Sequence, residues 1–544
     1  MVEEIKKKPK VIKITKGNSD WFEEGEMYDV PSTIAEEQVK KGFAEFVDKD
    51  KLSFSFKVSQ LLLQSKKTEA TEVLVNRIKQ TFQIYTVRHD EKPEMWIYNK
   101  GIYVPQGQSY IKEFCRKVLE LSYTTNLANQ VIAKLETDTY IEQDEFFSDS
   151  NPHSICVENG ILNLETKKLT IFNPKKIFFN KIPVVYDKDK KCPMIIKHFN
   201  TILKDKGDIP VIQELFGYLL YKEYFIEKAF MFCGDGRNGK GKTLDLMKRF
   251  LGANNCANIP IQQFENDNFA LGELFNKMAN LAGDISKTAL KETGNFKSLT
   301  GRDLISAPRK FLTRVNFVNY AKMIFCANDL PITYDLTPAF WNRWILLDFP
   351  YEFVSEKEFN NKSDEDKANT KIADANIIDK LTTDEELSGL LNWALKGINN
   401  LIEKQDFSYS KSVEDVKNLW IRKSSSFNAF LMDCIVEDFD SKIEKKELRK
   451  CYSIYCKKYK LKMIGEKIMK AILEKTFGIW DERPMINSIQ FQCWNGIKFS
   501  KDRKDSNRFS IWEDFGKFGI GVNTPSNHTN LTNKPKIHKT EFVK

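Results

Sequence analysis

Two rhythms of apolar residues alternate along the chain: helical spacing, and short runs of strand length. In residues 1–50, VIKITKG reads as a strand and MYDVPSTIAEEQVKKGFAEFV as strand, helix and strand, with Ser32 or Thr33 as the helix cap and Gly42 as its stop. Residues 51–205 carry helical patterns in TEVLVNRIKQTF, IKEFCRKVLELSYTT and NLANQVIAKLETDTYI. Two hairpin patterns accompany them: WIYNKGIYVP, turning at Asn99-Lys100-Gly101, and SICVENGILNLETKKLTIFNP, turning at Asn159-Gly160 and around Thr166-Lys167. In residues 206–355 the helical IPVIQELFGYLLY leads into the buried-strand runs AFMF, KMANLAG, AKMIFCAN and WILLDF, with a β-hairpin predicted at LISAPRKFLTRVNFV. Residues 356–425 begin with a charged loop and continue as helices. In 426–505, KKELRKCYSIYCKKY repeats apolar residues at Leu448, Cys451, Tyr452, Tyr455 and Tyr459, GEKIMKAILEKTFG adds a second helix, and FQCWNGIKFS is expected to turn at Asn495-Gly496. Two helices and a turn of this kind predict a winged helix. Residues 506–544 are rich in Asn, Lys and Thr and are expected to be disordered. The fold class expected is multidomain α/β.

One stretch carries recognisable chemistry. Cys233–Thr243 reads CGDGRNGKGKT between the run AFMF and the helical LDLMKRFL. Gly236, four residues and then Gly241-Lys242-Thr243 fit G-x-x-x-x-G-K-[ST], in the strand–loop–helix setting that makes the pattern a phosphate loop. On this frame Gly236, Arg237, Asn238, Gly239, Lys240, Gly241, Lys242 and Thr243 form a nucleotide cradle. The glycines let N–H groups curl around phosphates, Lys242 adds charge at the β/γ positions, and Thr243 offers a hydroxyl to Mg²⁺. Asp284, 41 residues beyond Thr243 at the end of a strand, suits a second Mg²⁺ ligand. Asn328 ends the next core strand, where a neutral amide can orient water. Arg309, Lys310 and Arg314 sit near the predicted hairpin tip and can track a phosphate backbone. Lys467, Lys470 and Lys475 do the same for the second helix of the winged-helix pattern. Arg343 opens the last core strand, a position from which an arginine can reach a neighbour's triphosphate.

Composition narrows the class only a little. The chain has 544 residues, 41% hydrophobic and 12% aromatic, enough for several packed domains. Its net charge of +9 is compatible with a polyanionic partner. Ten cysteines without a CxxC pair and five histidines argue against a zinc site and point to reduced thiols in a cytoplasmic protein. The start MVEEIKKKPK is not a signal peptide, and no apolar run approaches membrane-spanning length. Primase or polymerase chemistry would need acids on adjacent strands; Asp48 and Asp50 are the only short pair at a plausible strand end, and they read as a polar turn.

GDGRNGKGKT, ANLAGDIS, TGNFKSLTGRD, KMIFCANDLP and AFWNRW, in this order, resemble the superfamily 3 helicases, in the branch of poxvirus-type and phage or plasmid primase-helicases. VENGILNLETKKL is similar to the domain preceding the motor in that family, and ELSGLLNWALKGINNLIEK to its helical lid. The resemblance spans roughly residues 75 to 500 and rests on five ordered motifs. It implies an AAA+-like ATPase that uses ATP and Mg²⁺, assembles as a homo-hexamer around DNA, and moves 3′ to 5′ on single strands at a fork. Family members often carry paired acids at the second motif. Here Asp284 is followed by Ile285 and Ser286, which leaves Glu292 as the candidate general base. A fused primase is also expected from the family and is not seen in this sequence, so a separate primase or polymerase is the partner implied. Two other classes fit parts of the pattern: an ATP-switched DNA-binding initiator, and a P-loop kinase of a small metabolite.

Overall fold

The computed structural model describes residues 10–500, apart from 15–26, 31, 48, 149–151, 311, 460, 477, 484, 487, 488 and 491. The tail 506–544 and Asp48 therefore lie outside the described residues, and Asp50 falls within the helix Lys49–Leu63.

At the centre is a five-stranded, wholly parallel sheet. Its strands are β1 (Ala229–Cys233), β2 (Cys256–Ala257), β3 (Ala279–Ala282), β4 (Lys322–Ala327) and β5 (Trp344–Asp348), ordered β2-β3-β4-β1-β5. The apolar runs are unbroken because both faces are covered, as parallel sheets require. Residue parity assigns the faces: Phe230, Phe232, Ile324, Cys326, Ile345 and Leu347 point into one core. Met231, Met323, Phe325, Trp344 and Leu346 point into the other. Each large side chain taken fully from water contributes about 1.5–3 kcal/mol.

One core is closed by the helix Asp208–Tyr218 against the helix Asp384–Lys404. Gly217 and Gly397 allow the close approach. A Cβ on Gly217 would stand 2.3 Å from the Ile398 backbone nitrogen, and one on Gly397 would stand 2.2 Å from the Gln213 carbonyl oxygen.

The chain before the central sheet begins with an antiparallel three-stranded sheet (Met27–Val30, Lys10–Ile14, Ala44–Val47) flanked by the helix Ser32–Lys40. A helical layer follows, with a sheet that includes Ile84–Val87 and the hairpin Glu94–Asn99/Ile102–Val104. Trp96, Phe146, Phe147 and Phe179 cluster there, and Phe147 meets Phe275 of the central region edge-on at 4.9 Å.

At the carboxyl end, the helices Ser426–Cys434, Lys445–Lys458 and Glu466–Thr476 pack on the strands Ile435–Glu444, Cys493–Phe499 and Trp480–Glu482. Leu448, Cys451, Tyr452 and Tyr455 face this core, whereas Tyr459 at the helix end is exposed. The expected turn at Asn495-Gly496 is corrected: both residues lie inside the strand Cys493–Phe499, where Asn495 pairs with Lys442 on one side and Trp480 on the other. Asn495 has ladder partners on both sides, and Gly496, at φ 86° opposite a break in register between Glu437 and Lys442, takes the kink without ending the strand.

Candidate nucleotide site and hairpin

The candidate site lies at the carboxyl ends of β1, β3 and β4, the edge of an open parallel sheet where adjacent strands send their loops apart. Beyond Cys233 the backbone takes positive φ at Gly234, Arg237 and Gly239, and the helix Lys240–Leu251 then begins. A Cβ on Gly234 would stand 2.4 Å from the Phe349 carbonyl oxygen, so only glycine fits directly after the strand.

Lys240, in the first turn and buried, turns its ammonium across the loop. It donates to the Gly234 carbonyl, to Asn238 Oδ1 at 3.1 Å and to Asn328 Oδ1 at 3.1 Å. Burial pulls its pKa below the usual lysine value, while nearby groups, Asp235 and Asp284 among them, pull it back. Asn238 is also buried, and its amide donates to the Phe349 carbonyl at 3.1 Å.

This corrects the frame of the motif. Two overlapping segments satisfy G-x-x-x-x-G-K: Gly234 to Lys240, and Gly236 to Lys242. The first wraps the loop. Lys242 is exposed and lines a cavity beside the loop, together with Gly239, His198 and Ile202. Thr243, read as a metal ligand, is fully buried and donates its hydroxyl to the Gly239 carbonyl at 3.1 Å, one helical turn back. The residue after Lys240 is Gly241, which has no hydroxyl and nothing within 4 Å of where a Cβ would stand. The Arg237 side chain turns away from the loop to Glu352 at 2.8 Å and Glu358 at 3.1 Å.

Asp284 lies two residues past β3, exposed and near Lys240. An exposed carboxylate beside a lysine-lined loop suits Mg²⁺, which takes one or two protein carboxylates and fills its shell with phosphate oxygens and water. No cluster of three or more His, Cys, Asp or Glu occurs among the described residues, so an all-protein metal cage is not present there. Glu292 is exposed and is not among the groups acting on Lys240.

Arg343 is at the opposite end of the sheet from the glycine-rich loop, since its carbonyl accepts from the amide of Ala229, the first residue of β1. Its guanidinium donates to Thr300 Oγ1 at 2.9 Å, to Glu227 Oε2 at 2.8 Å and to the Ala339 carbonyl, leaving the side chain 13% exposed. The expectation of a free finger is corrected to this extent: within one chain the group is held by three partners.

The hairpin forms as expected, from Leu304–Arg309 and Leu312–Val318. Ile305, Ala307 and Val315 are buried, while Leu304, Ser306, Arg314, Asn316 and Val318 are exposed. Lys310 and Arg314 are on the surface, Arg314 donating to the Ser306 carbonyl at 3.0 Å. Arg309 does not serve as an exposed DNA contact. It forms a two-pronged ion pair with Glu94 of the preceding domain, one prong at 3.1 Å, with the two side chains only 9% and 8% exposed. Further along the chain, Lys467 and Lys470 are exposed, Lys470 within 3.5 Å of Glu474, and the Lys475 side chain lies outside the described residues.

Sequence reasoning passed over Asp348 and Lys423. Asp348 ends β5 beside Cys233, and Lys423 Nζ donates to its Oδ1 at 2.9 Å. The adjacent Arg422 forms two 2.8 Å bonds to Asp433 in the carboxyl-terminal unit. No local motif marks either pair, because both depend on how the helix Val413–Ser424 docks.

Comparison with known proteins gives two family matches. Residues 39–206 match the family described as D5 N terminal like, and residues 232–343 match a family of unknown function, DUF5906. A putative helicase, 121R of Invertebrate iridescent virus 3, is 22% identical over 324 residues, covering 53% of this chain. The match spans only 33% of that relative's length. Among solved structures, the apo C-terminal region of NrS-1 is similar at 12% identity and a TM-score of 0.39, covering 78% of this chain and 98% of that one. A JCV helicase structure is similar at 13% identity and a TM-score of 0.19, covering 64% of this chain and 82% of that one. Residues 39–206 are thus similar to a D5-type N-terminal domain, and a little over half of the chain is similar to a viral putative helicase. No helix among the described residues is long and apolar enough to cross a membrane.

Proposed function

We propose that this chain is the ATP-driven motor of a replicative DNA helicase from a virus or plasmid, with an AAA+-like core and a carboxyl-terminal winged helix. The observation that carries the reading is the contact of Lys240 with Asn328, with Asp284 close by, at the mouth of a glycine-rich loop. In this reading the N–H groups at the start of the helix Lys240–Leu251 and the Lys240 ammonium bind the β- and γ-phosphates of ATP. Asn328 lies one hydrogen bond from Lys240 and orients the attacking water. Asp284 holds Mg²⁺, which supplies charge neutralisation at the phosphates.

Six copies would form a ring on single-stranded DNA, moving 3′ to 5′ as the family resemblance implies, with a separate primase or polymerase as partner. Lys310 and Arg314 of the hairpin, and Lys467 and Lys470 of the winged helix, are the exposed cations that would meet DNA phosphates. Arg343 serves a neighbour's triphosphate only after leaving Glu227 and Thr300.

One observation favours a second reading. The buried Arg309–Glu94 pair fastens the hairpin to the preceding domain, which suits an ATP-switched initiator that melts DNA locally. ATP turnover with and without single-stranded DNA tests the motor, and Lys240→Ala should abolish it. Unwinding of a forked duplex then separates the two readings: a travelling motor opens long duplexes, and a switch opens only the junction.

A further inference from the structure

Two adjacent residues at the end of the helix Val413–Ser424 hold different parts of the molecule. Lys423 Nζ donates to Asp348 Oδ1 at 2.9 Å, and Asp348 is the last residue of β5, paired with Cys233 where the glycine-rich loop begins. The next residue, Phe349, braces that loop: its amide donates to the Cys233 carbonyl at 2.8 Å, and its carbonyl accepts from the Asn238 amide. Asp235 of the loop is also among the charges acting on Lys423. The Lys423 carbonyl accepts from the amide of Leu330, two residues past Asn328. On the other side Arg422 makes its two bonds to Asp433, which also accepts at 2.7 Å from the Tyr455 hydroxyl of the helix Lys445–Lys458. The link between the two units is a single extended residue, Ser425, before the helix Ser426–Cys434 begins. Beside it is a cavity of about 610 Å³, lined by Asn418, Leu419 and Arg422 from one unit and by Met432, Val436 and Ile497 from the other. Packed interiors resist gradual deformation, and a void of this size gives the carboxyl-terminal unit room to rock about Ser425 without breaking either core.

We propose that Arg422 and Lys423 tie the glycine-rich loop to the carboxyl-terminal unit, so that a triphosphate in the loop changes how that unit holds DNA. The proposal rests on the phosphate-loop and winged-helix readings and gives Lys423 a positioning role. The Lys423 and Asp348 side chains are 30% and 47% exposed, so this pair can exchange partners. A triphosphate entering the loop brings negative charge that competes with Asp348 for the Lys423 ammonium. Lys423 moving toward the loop carries the helix end with it, and the Arg422–Asp433 pair passes that movement across Ser425. Two parallel bonds between a guanidinium and a carboxylate fix orientation as well as distance, which a single contact does not.

The test is fluorescence anisotropy of the full chain with labelled oligo(dT), with and without a non-hydrolysable ATP analogue in Mg²⁺. The analogue should change the DNA affinity about fivefold or more, and by linkage DNA should change the affinity for the analogue by the same factor. Lys423→Met and Asp348→Ala should each bring both factors to about one, while the affinity for the analogue alone stays within about threefold. Neither variant strands a fully buried charge, so both should fold. Lys423→Arg should keep the coupling. Lys467→Ala with Lys470→Ala should weaken DNA binding and erase the same factor. A merely structural role for Lys423 would weaken both ligands and leave their mutual factor unchanged. That outcome overturns the tie, as does a factor of about one in the unaltered chain. A factor that survives the loss of Lys467 and Lys470 overturns it too, because the coupling would then end elsewhere. If the analogue fails to bind the unaltered chain at all, the phosphate-loop reading falls and the tie with it.

Discussion

Lys240 Nζ lies 3.1 Å from Asn328 Oδ1, across 88 residues of chain, and this contact joins the loop after β1 to the end of β4. It also favours Lys240 over Lys242, the lysine that the motif with its final Thr243 points to. Lys240→Ala should lower ATP turnover by about 10²-fold or more, the scale for losing a preorganised charged donor at a reacting phosphate. Lys242→Ala should raise KM and cost less than about tenfold in kcat/KM, because that side chain lies outside the loop. Steady-state kinetics on the two variants decides the frame: a Lys242→Ala enzyme as inactive as Lys240→Ala would restore the later one.

Gly241 occupies the place after the loop lysine where a hydroxyl would ordinarily face the metal, and the space around it is open. Gly241→Ser should therefore fold without strain and relieve the helix penalty of glycine, about 0.5 kcal/mol. It should also lower the Mg²⁺ concentration for half-maximal turnover. A Mg²⁺ titration of ATP turnover reads this directly, and an unchanged midpoint would mean that position 241 does not face the metal.

Arg309 and Glu94 form a buried pair between two domains. Removing one partner strands a charge, and Arg309→Met alone should destabilise by about 3–5 kcal/mol. Replacing both, as Arg309→Met with Glu94→Met, should recover most of that loss, since the desolvation cost of the two charges disappears together. Chemical denaturation of the two variants and the unaltered chain gives the comparison. Should the double variant unwind DNA faster, the pair restrains the hairpin.

If sites are shared between subunits, Lys240→Ala and Arg343→Ala chains inactive alone should regain activity when mixed before assembly. Random mixing gives about a quarter of the seams an intact loop facing an intact arginine. No recovery on mixing would confine Arg343 to its ties with Glu227 and Thr300.

His198 links stability to pH. In the unfolded chain its pKa lies near 6.5, and in the folded chain burial lowers it to about 4. Between those values the unfolded state binds more protons, so stability falls as pH drops from 6.5 towards 4, by up to about 3 kcal/mol. Above pH 6.5 this contribution is constant. His198→Phe should flatten that part of the profile, measured as thermal midpoint against pH.

Much was legible without coordinates, because it is local. Short unbroken apolar runs such as AFMF and KMIFCA read as strands buried on both faces, and the alternation in LISAPR and LTRVNFV reads as a half-exposed hairpin, as the structure has them. The glycine-rich loop, Asp284 and Asn328 are read as candidates from their positions at strand ends, and the structure places Lys240, Asp284 and Asn328 near one another. The frame of the loop was not, because the local signal, Thr243 after Lys242, favours the Gly236 frame: what favours Gly234 is the Phe349 carbonyl, brought against it by the pairing of β5 with β1. The same reason covers Arg309, whose partner Glu94 is 215 residues away, and Arg343, caged by Glu227 and Thr300. Periodicity and turn chemistry thus determined most of the elements. Which cation enters the loop, and which cations are already neutralised, was decided by strand order and domain docking, since charges pair with what is near in space.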